Sequence, residues 1–270
     1  MGKVSFDYSG RVVAITGAAG GIAKGVALGF AQAGAKVVIG DLKETLGKET
    51  VEEIRRKGGD ASFVVTDVSD PTSVDTFLQT AVCTYGRLDI LVNGAGVANR
   101  HFGNPFTDLP DSDFDLTYGV NVKGVVHTCR AAYPILRGQG YGRIINIAST
   151  VGHSTNVLNV PYAVSKAAVL NLTTNLAKEL GPYGVTVNAI CPGYIYTPMY
   201  EAAAPGMIAK IPALAGMSAQ EMVGHFAKLN CATQKEQTVE DIANAALFLA
   251  SDAAENITGV ALDVAGGYKI

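Results

Sequence analysis

The sequence has few of the signals that mark a disulfide-stabilised or metal-binding chain. Its four cysteines are far apart and form no C-x-x-C pair, and its four histidines show no ligand spacing. Disulfide bonds and a zinc site are therefore not expected, and no metal is predicted. The residues concerned are Cys83, Cys129, Cys191, Cys231, His101, His127, His153 and His225.

Membrane, export and nucleic-acid signals are also missing. No uninterrupted apolar run approaches the roughly 18 residues that cross a bilayer. The stretch from Met1 to Gly10 is polar and lacks the apolar core of a signal peptide. The net charge is −3 and the basic residues are scattered. We expect a cytoplasmic protein that binds a small-molecule substrate and neither nucleic acid nor membrane.

The pattern of apolar residues predicts the fold class. Apolar residues make up 48% of the 270 residues and charged residues 17%, a balance typical of a well-buried core. Short, continuously apolar runs alternate with amphipathic stretches, which predicts βαβ units in an α/β doubly wound parallel β-sheet. No linker divides the chain, so one domain over residues 1–270 is expected. The predicted strands are Arg11–Thr16, Lys36–Asp41, Ser62–Asp67, Ile90–Asn93, Arg143–Ser149, Val185–Ile190 and Val260–Val264, and helices are predicted at Gly21–Ala33, Leu42–Lys57 and Thr72–Tyr85.

One segment, residues 194–237, breaks this alternation. It carries three prolines among short helical pieces, every methionine except Met1, and three tyrosines near its start. Methionine repacks easily around irregular apolar shapes, and long insertions in compact domains are often lids. The segment is predicted to be a helical insertion that covers the substrate. Its composition fits gap-filling on the surface equally well.

The candidate dinucleotide site begins directly after the first predicted strand. Thr16-Gly17-Ala18-Ala19-Gly20-Gly21-Ile22-Ala23 precedes a predicted helix, and small residues there let a pyrophosphate approach the positive helix N-terminus. Asp41 ends the second strand, where a carboxylate accepts hydrogen bonds from ribose hydroxyls and repels the 2′-phosphate of NADP. No Arg or Lys lies within 18–20 or directly after Asp41, so NAD is predicted. Strand–helix packing would use the same glycines, and Asp41 also suits a helix cap.

Two further predicted strands end in polar residues. Asp67-Val68 closes the third, where a carboxylate would meet an adenine amino group, and Asn93-Gly94-Ala95-Gly96 closes the fourth. Ligands of open α/β sheets bind at the carboxyl ends of strands, so these ends indicate one site. Taken singly, Asp67 also suits a helix cap before Pro71, and Asn93 suits a brace for its turn.

The pair Tyr162 and Lys166 is the strongest candidate for catalysis. Four residues apart, the two side chains share one face of a predicted helix, and Ser149 lies upstream at a strand end. The ammonium is expected to stabilise the phenolate and lower the pKa of Tyr162 below its ordinary value of about 10. Such a tyrosine serves as a general acid or base near neutral pH. On its own, the spacing also fits an exposed helix pair.

Together these motifs resemble those of the short-chain dehydrogenase/reductase family over nearly the whole chain. The residues that carry the resemblance are Thr16-Gly17 with Gly21, Asp41, Asp67, Asn93-Gly94-Ala95-Gly96, Asn121, Ser149, Tyr162, Lys166, and Pro192-Gly193 with Thr197. The resemblance implies a Rossmann fold, a nicotinamide cofactor and a homotetramer. Two positions depart from the family. Its third glycine is Ala23 here, which is expected to be tolerated, and Gly94 replaces an asparagine, which is expected to loosen the turn slightly.

The resemblance also implies roles in an NAD-dependent interconversion of a secondary alcohol and its ketone. Tyr162 is the acid/base, Ser149 binds the substrate oxygen, and Lys166 lowers the tyrosine pKa and binds the nicotinamide ribose. Asn121 anchors a water that links the lysine to solvent. The expected cofactor contacts are Gly17, Gly21, Ile22, Asp41, Leu42, Asp67, Val68, Asn93, Ala95, Tyr162, Lys166, Pro192, Gly193, Ile195 and Thr197.

The substrate is less defined by the sequence. The methionines and tyrosines of segment 194–237 favour a medium-sized, partly apolar alcohol or ketone, whereas polar residues near the expected pocket suit a polyol or sugar. A catalytically silent dinucleotide-sensing protein and a sugar-nucleotide epimerase or dehydratase are the rival interpretations. The intact catalytic set argues against the first, and the chain length against the second. The polar residues are His101, His153, Thr155, Asn156 and Asn159.

Overall fold

A computed structural model describes residues 5–268, and within them seven strands form one sheet. The strand order is β3-β2-β1-β4-β5-β6-β7, and each neighbouring pair is parallel. The chain order reverses between β1 and β4, which is the switch point of a doubly wound sheet. The predicted fold class is therefore confirmed. The strands are β1 (Val12–Thr16), β2 (Lys36–Asp41), β3 (Asp60–Val65), β4 (Ile90–Asn93), β5 (Gly142–Ile147), β6 (Val185–Pro192) and β7 (Ala261–Val264).

Helices cover both faces of the sheet, because the right-handed crossovers of a parallel sheet place them there. A π-helical turn, Tyr118–Lys123, joins the fourth helix to the fifth. Within the described residues none of the helices combines the length and apolarity that a bilayer crossing requires. The helices are α1 (Gly21–Gln32), α2 (Glu44–Arg56), α3 (Pro71–Tyr85), α4 (Asp111–Thr117), α5 (Gly124–Gln139), α6 (Val160–Leu180), α7 (Pro198–Lys210), α8 (Ala219–Asn230) and α9 (Val239–Ala250).

The core consists of two apolar clusters, one on each face of the sheet. In β1, Val13 and Ile15 belong to one cluster, and Val12 and Ala14 belong to the other. Successive side chains of a strand point to opposite faces, which explains this division. Helices α1, α2 and α9 contribute to the first cluster, and α3, α5 and α6 to the second. The central strands are buried on both sides, as their continuous apolar sequence predicts.

Several predicted strand ends differ from the observed ones. β3 ends at Val65 rather than Asp67, because its partner β2 ends at Asp41, the residue paired with Val65. β5 ends at Ile147, so Ser149 lies beyond the strand. β6 continues to Pro192, since its last residues pair with β7.

Segment 194–237 leaves the sheet and forms α7 and α8. These two helices enclose a third apolar cluster that includes Ala204, Met207 and Met222. A capping box between Ser218 and Glu221 fixes the start of α8. The Lys210 Nζ donates a hydrogen bond to the Phe102 carbonyl at 2.9 Å, which attaches α7 to the loop after β4.

Candidate active site

The glycine-rich turn after β1 packs against the end of β4. The Thr16 hydroxyl, buried in the core, accepts hydrogen bonds from the N–H groups of Gly94 (3.2 Å) and Ala95 (3.3 Å). Gly17 has a φ of +75°, and a Cβ there would lie 2.7 Å from the Ala95 Cα. Only glycine suits this position, both for its left-handed backbone and for the close approach of the neighbouring strand end.

The two departures from the family pattern face each other across this contact. A Cβ at Gly94 would lie 2.6 Å from the Ala23 Cβ and 2.8 Å from the Thr16 carbonyl oxygen. The methyl group of Ala23, which is 3% exposed, therefore fills the space that a side chain at position 94 would need. The expectation that Ala23 is tolerated has a physical basis, because a glycine stands opposite it.

Asp41 lies at the end of β2 and faces the glycine-rich turn. Its Oδ2 accepts a hydrogen bond from the Ala19 N–H at 3.0 Å, and its Oδ1 accepts one from the Lys43 N–H at 2.9 Å. The N-cap residue of α2 is Lys43, so the alternative role of Asp41 as helix cap is wrong. The neighbouring Leu42 is 64% exposed, which leaves an apolar side chain beside the carboxylate.

The start of α1 fits a pyrophosphate. Gly20 is the N-cap residue, and this fully described helix has no side-chain cap and no acidic residue in its first turn. A Cβ at Gly20 would meet no heavy atom within 4 Å, so the backbone there borders open space. The first N–H groups of the helix are thus available to an anion. Ile22 follows in the first turn and is half-buried.

The ends of β3 and β4 use their polar side chains for local structure. Asp67 Oδ1 accepts hydrogen bonds from the Ser69 N–H and hydroxyl at 2.9 and 2.7 Å. Asp70 caps α3 through the Thr72 N–H, so a cap role for Asp67 is wrong. The next residue, Val68, is buried.

Asn93 is a brace between elements. Its Nδ2 donates to the Asn146 Oδ1 in β5 at 2.8 Å, and its Oδ1 accepts from the Thr128 hydroxyl in α5 at 2.6 Å. These bonds occupy the side chain in the core, where it is 3% exposed. Only the main chain of Asn93 is therefore available to a cofactor. The cofactor contact of Asn93 stays a prediction.

Asn121 is buried in the π-helical turn and fixes the loop after β4. Its Oδ1 accepts from the Val97 N–H at 2.8 Å, and its Nδ2 donates to the Val97 carbonyl and the Ser165 hydroxyl, each at 2.9 Å. The π-turn widens the helix and aims the amide at this loop. Ser165 is a positioning residue that the sequence did not single out.

Ser149, Tyr162 and Lys166 meet at the carboxyl ends of β5 and β6. Tyr162 and Lys166 lie in the first turns of α6, and the hydroxyl of Ser149 is hydrogen-bonded to Tyr162. The Lys166 Nζ lies 5.5 Å from the centroid of the Tyr162 ring and donates to the Ile147 carbonyl at 2.8 Å. Lys166 is 5% exposed, so the alternative of an exposed helix pair is wrong.

Burial sets the protonation of this pair. It raises the pKa of Tyr162 to about 12, and the hydrogen bond with Ser149 offsets this only in part. Burial also lowers the pKa of Lys166 to about 8. The prediction that Lys166 brings the tyrosine pKa below 10 is wrong in this structure. The reason is that both side chains are desolvated and the ammonium is bound to the Ile147 carbonyl.

The turn after β6 closes the site beside the glycine-rich turn. Ile195 is buried, and Thr197 precedes α7. A Cβ at Gly21 would lie 3.8 Å from the Thr197 Cβ, which brings this turn to the start of α1. Gly193 is closely packed, because a Cβ there would lie 2.6 Å from the Gln237 Oε1. The Pro192 carbonyl accepts from the Thr150 hydroxyl at 3.3 Å.

Most polar candidates around the pocket already have partners. The His153 Nε2 lies 3.1 Å from the Asp263 Oδ1, and these two groups and Cys191 place their ligand atoms within 4.8 Å of one another. The sequence spacing did not predict this grouping. Asn156 Oδ1 accepts the Leu158 N–H at 3.1 Å.

Two more of these polar candidates are paired. The ring of His101 lies 3.2 Å from the Asp113 carboxylate. Thr155 also has a partner.

Two buried asparagines differ from this group. Asn159 was predicted near the pocket, and its Oδ1 has no hydrogen-bond partner within residues 5–268. Asn99 was missed by the sequence analysis, and neither of its amide atoms has a partner in that part of the chain. Both residues are 6% exposed. An asparagine three residues beyond Gly96, in a loop at the ligand-binding edge, was the signal available in the sequence.

Comparisons with known proteins agree over almost the full chain. A family model described as enoyl-(acyl carrier protein) reductase matches residues 17–269. An uncharacterized oxidoreductase of Thermotoga maritima is 39% identical over 265 residues, which are 97% of this chain and 98% of the relative. A 2,5-dichloro-2,5-cyclohexadiene-1,4-diol dehydrogenase of Sphingobium indicum is 38% identical over 262 residues, 97% of each chain. A solved structure of 7α-hydroxysteroid dehydrogenase with NADH and 7-oxo glycochenodeoxycholic acid is similar with a TM-score of 0.84 and 33% identity, over 97% of this chain and 95% of that one.

Proposed function

The chain belongs to the short-chain dehydrogenase/reductase family of oxidoreductases, and on that premise we propose that it is an NAD-dependent enzyme that interconverts a secondary alcohol and its ketone. The observation that carries this proposal is the meeting of Ser149, Tyr162 and Lys166 at the sheet edge that also holds the glycine-rich turn and Asp41. Two relatives support the class of reaction, since one is named a diol dehydrogenase and the other was solved with NADH and an oxo compound.

Tyr162 is the acid/base of the proposed reaction. In the oxidation its own proton first passes on through Lys166, and the phenolate then takes the proton of the alcohol hydroxyl, while Ser149 binds the substrate oxygen. One C–H bond and one O–H bond of the alcohol break, the O–H bond of the tyrosine is formed again, and a C=O double bond forms. When bound, NAD supplies the acceptor for the hydride that leaves the carbon. In the reverse direction Tyr162 gives its proton to the ketone oxygen, a role that suits a phenol held protonated by its raised pKa.

In the proposal, Lys166 passes the proton between Tyr162 and solvent. With a pKa lowered to about 8, its ammonium can release a proton near neutral pH. In the proposal it also binds the nicotinamide ribose, and Asn121 anchors the water through which the proton reaches solvent. Both Nδ2 hydrogens of Asn121 are used by Val97 and Ser165 and its Oδ1 already accepts from Val97, so we assign this anchoring to its main chain.

Asp41 supports NAD over NADP as the cofactor. Its carboxylate is held beside the start of α1 by the Ala19 N–H, and each carboxylate oxygen has a second acceptor position for a ribose hydroxyl. A 2′-phosphate at the same place would meet this negative charge. The remaining predicted contacts, from Gly17 to Thr197, are part of the proposal.

The test is NADH formation from NAD by the purified protein, measured against aliphatic, aryl and polyol secondary alcohols, with Tyr162→Phe as the matched variant. Turnover of one class that is lost in the variant would support the proposal. Absence of turnover across the panel, with NAD still bound, would favour the dinucleotide-sensing interpretation. NAD that stays bound through purification would instead favour an epimerase or dehydratase.

We also propose a homotetramer. β7 is an edge strand of the sheet formed by the described residues, and the apolar side chains of Phe248 and Val260 near it are 37% and 38% exposed. An edge strand presents unpaired backbone groups with which a second chain can pair. Light scattering that shows only monomer would contradict this. The cytoplasmic location stays a prediction, which cell fractionation tests.

A further inference from the structure

Two buried asparagines, one in the loop after β4 and one at the start of α6, have amide atoms without hydrogen-bond partners among the described residues. Neither polar atom of Asn99 forms a hydrogen bond within residues 5–268, nor does the Oδ1 of Asn159. Each of these atoms is almost fully shielded from solvent. A buried polar group without a partner carries a free-energy cost, so such groups in a native protein call for an explanation. A ligand that supplies the missing partners is one.

Both asparagines belong to chain segments that lead to the catalytic residues. Asn99 is three residues beyond Gly96, and a Cβ at Gly96 would lie 3.3 Å from the Asn121 Oδ1 and 3.5 Å from the Lys166 Nζ. Asn159 is the residue directly before α6 and three residues before Tyr162. The Gly103 N–H donates to the Leu158 carbonyl at 2.7 Å, which joins the two loops.

The side chain of Asn159 does not cap helix α6. It is the N-cap residue of that helix, a position where asparagine usually binds the first turn, yet its side chain makes no capping bond. Its neighbour Asn156 does the opposite and uses its Oδ1 on the Leu158 N–H. The loop is therefore held by Asn156, and the amide of Asn159 is left for another partner.

The chemistry of these groups favours a neutral ligand. An amide offers a donor and an acceptor together, which matches a hydroxyl, whereas a carboxylate or phosphate is usually bound by cations. Lys210, the cation of α7 nearest these loops, already donates to the Phe102 carbonyl and binds Asn104. Arg100 is exposed.

We infer that the substrate is an uncharged alcohol with a second hydroxyl or carbonyl group close to the reacting carbon, and that Asn99 and Asn159 recognise this second group. The inference rests on the proposed function and narrows it to diols and hydroxyketones. Recognition of this kind discriminates strongly, because a substrate without the second group leaves both amides unpaired.

The test compares trans-cyclohexane-1,2-diol with cyclohexanol, which differ by one hydroxyl. For the wild-type enzyme kcat/KM of NADH formation should be at least about 10-fold higher for the diol, equivalent to about 1.4 kcal/mol. In Asn99→Leu and in Asn159→Leu this preference should shrink toward one, because kcat/KM for the diol falls. The thermal midpoint of Asn99→Leu should not fall, because no protein hydrogen bond is lost.

Asn188→Leu is the matched control. Asn188 is also buried, but its Nδ2 donates to the Ile257 carbonyl at 2.8 Å and its Oδ1 accepts from the Val260 N–H at 3.2 Å. This variant should lose stability and keep the diol preference. A wild-type enzyme without diol preference, or an Asn99→Leu variant that retains it, overturns the inference. If the wild-type enzyme is active in that case and Tyr162→Phe is inactive, the proposed function still holds.

A binding measurement tests the inference if the enzyme turns over neither the diol nor cyclohexanol. Calorimetric titration of the NADH complex with 2-hydroxycyclohexanone and with cyclohexanone should show at least about 10-fold tighter binding of the hydroxyketone. Asn99→Leu should remove that difference. Equal affinities for the two ketones in the wild-type protein would overturn the inference, whatever the outcome of the kinetic assay.

Discussion

The contact between Ala23 and Gly94 gives a prediction whose size follows from the distances. Gly94→Ala places a Cβ 2.6 Å from the Ala23 Cβ and 2.8 Å from the Thr16 carbonyl oxygen. Carbon atoms pack best at about 3.5–4.0 Å, so the two methyl groups would overlap by about 1 Å. Overpacking of a buried site costs about 1–3 kcal/mol, and we expect that loss of unfolding free energy.

The compensating change is Ala23→Gly, which restores the glycine of the family pattern. Alone it costs about 1 kcal/mol, since glycine is a poor residue inside a helix. Combined with Gly94→Ala it removes the methyl group that caused the overlap. The double variant should therefore lose less unfolding free energy than the two single variants lose together, by at least about 1 kcal/mol. The approach to the Thr16 carbonyl remains, so the recovery should be incomplete.

Urea unfolding of the four proteins at one protein concentration measures this coupling. Gly20→Ala is the matched control, because a Cβ at Gly20 meets no heavy atom within 4 Å and its φ of −168° is extended backbone. Gly20 is the N-cap of α1, where alanine is less favourable than glycine, so this variant should lose less than about 1 kcal/mol. Effects that add within about 0.5 kcal/mol in the double variant, or a Gly94→Ala protein as stable as the control, would refute the reasoning.

Three further predictions concern the catalytic and cofactor residues. Tyr162→Phe should lower kcat by roughly 10²–10⁴, while the Kd for NADH in a fluorescence titration changes far less, and a kcat loss below tenfold would contradict its role. The double variant Asp41→Ser with Gly20→Arg should raise the ratio of kcat/KM for NADP to kcat/KM for NAD by on the order of 100-fold. The reason is that the carboxylate that repels the 2′-phosphate is removed and a cation is added in open space. An unchanged ratio would mean that the adenosine ribose does not bind beside Asp41. Lys166 has a pKa of about 8 in the folded protein against an ordinary 10.5, so its own contribution to stability should rise with pH between these values, whereas the buried thiols of Cys129 and Cys191, whose pKa is raised, contribute with the opposite sign. The urea midpoint of the wild type should therefore increase relative to that of Lys166→Met from pH 8 to 10.5, and a difference that does not change with pH would contradict this.

The sequence predicted the strands best where they are bounded by polar or glycine residues. β2 and β4 run over Lys36–Asp41 and Ile90–Asn93, as predicted, because a carboxylate or an Asn-Gly pair ends each apolar run. β5 was predicted too long, since the apolar run continues past the last residue that pairs with β6. The order of motifs along the chain predicted the family, which the comparisons show.

The properties that depend on distant parts of the chain were not predictable in this way. Burial of Tyr162 and the bond from Lys166 to the Ile147 carbonyl decide both pKa values, and neither appears in the Tyr-x-x-x-Lys spacing. The side chain of Asn93 is occupied by partners 35 and 53 residues away. The lack of partners at Asn99 is also visible only in three dimensions.

The separate apolar cluster of α7 and α8 has a consequence for how such proteins diversify. Ala204, Met207 and Met222 pack with one another and belong to neither of the two clusters on the sheet. Mutations in this segment are therefore largely uncoupled from the packing that holds Ser149 and Tyr162 in place. Under the proposed function, in which this segment covers the substrate, a lineage can exchange the residues of these two helices, and with them the substrates accepted, while Ser149, Tyr162 and Lys166 are retained. Relatives with one reaction and many substrates are the expected result.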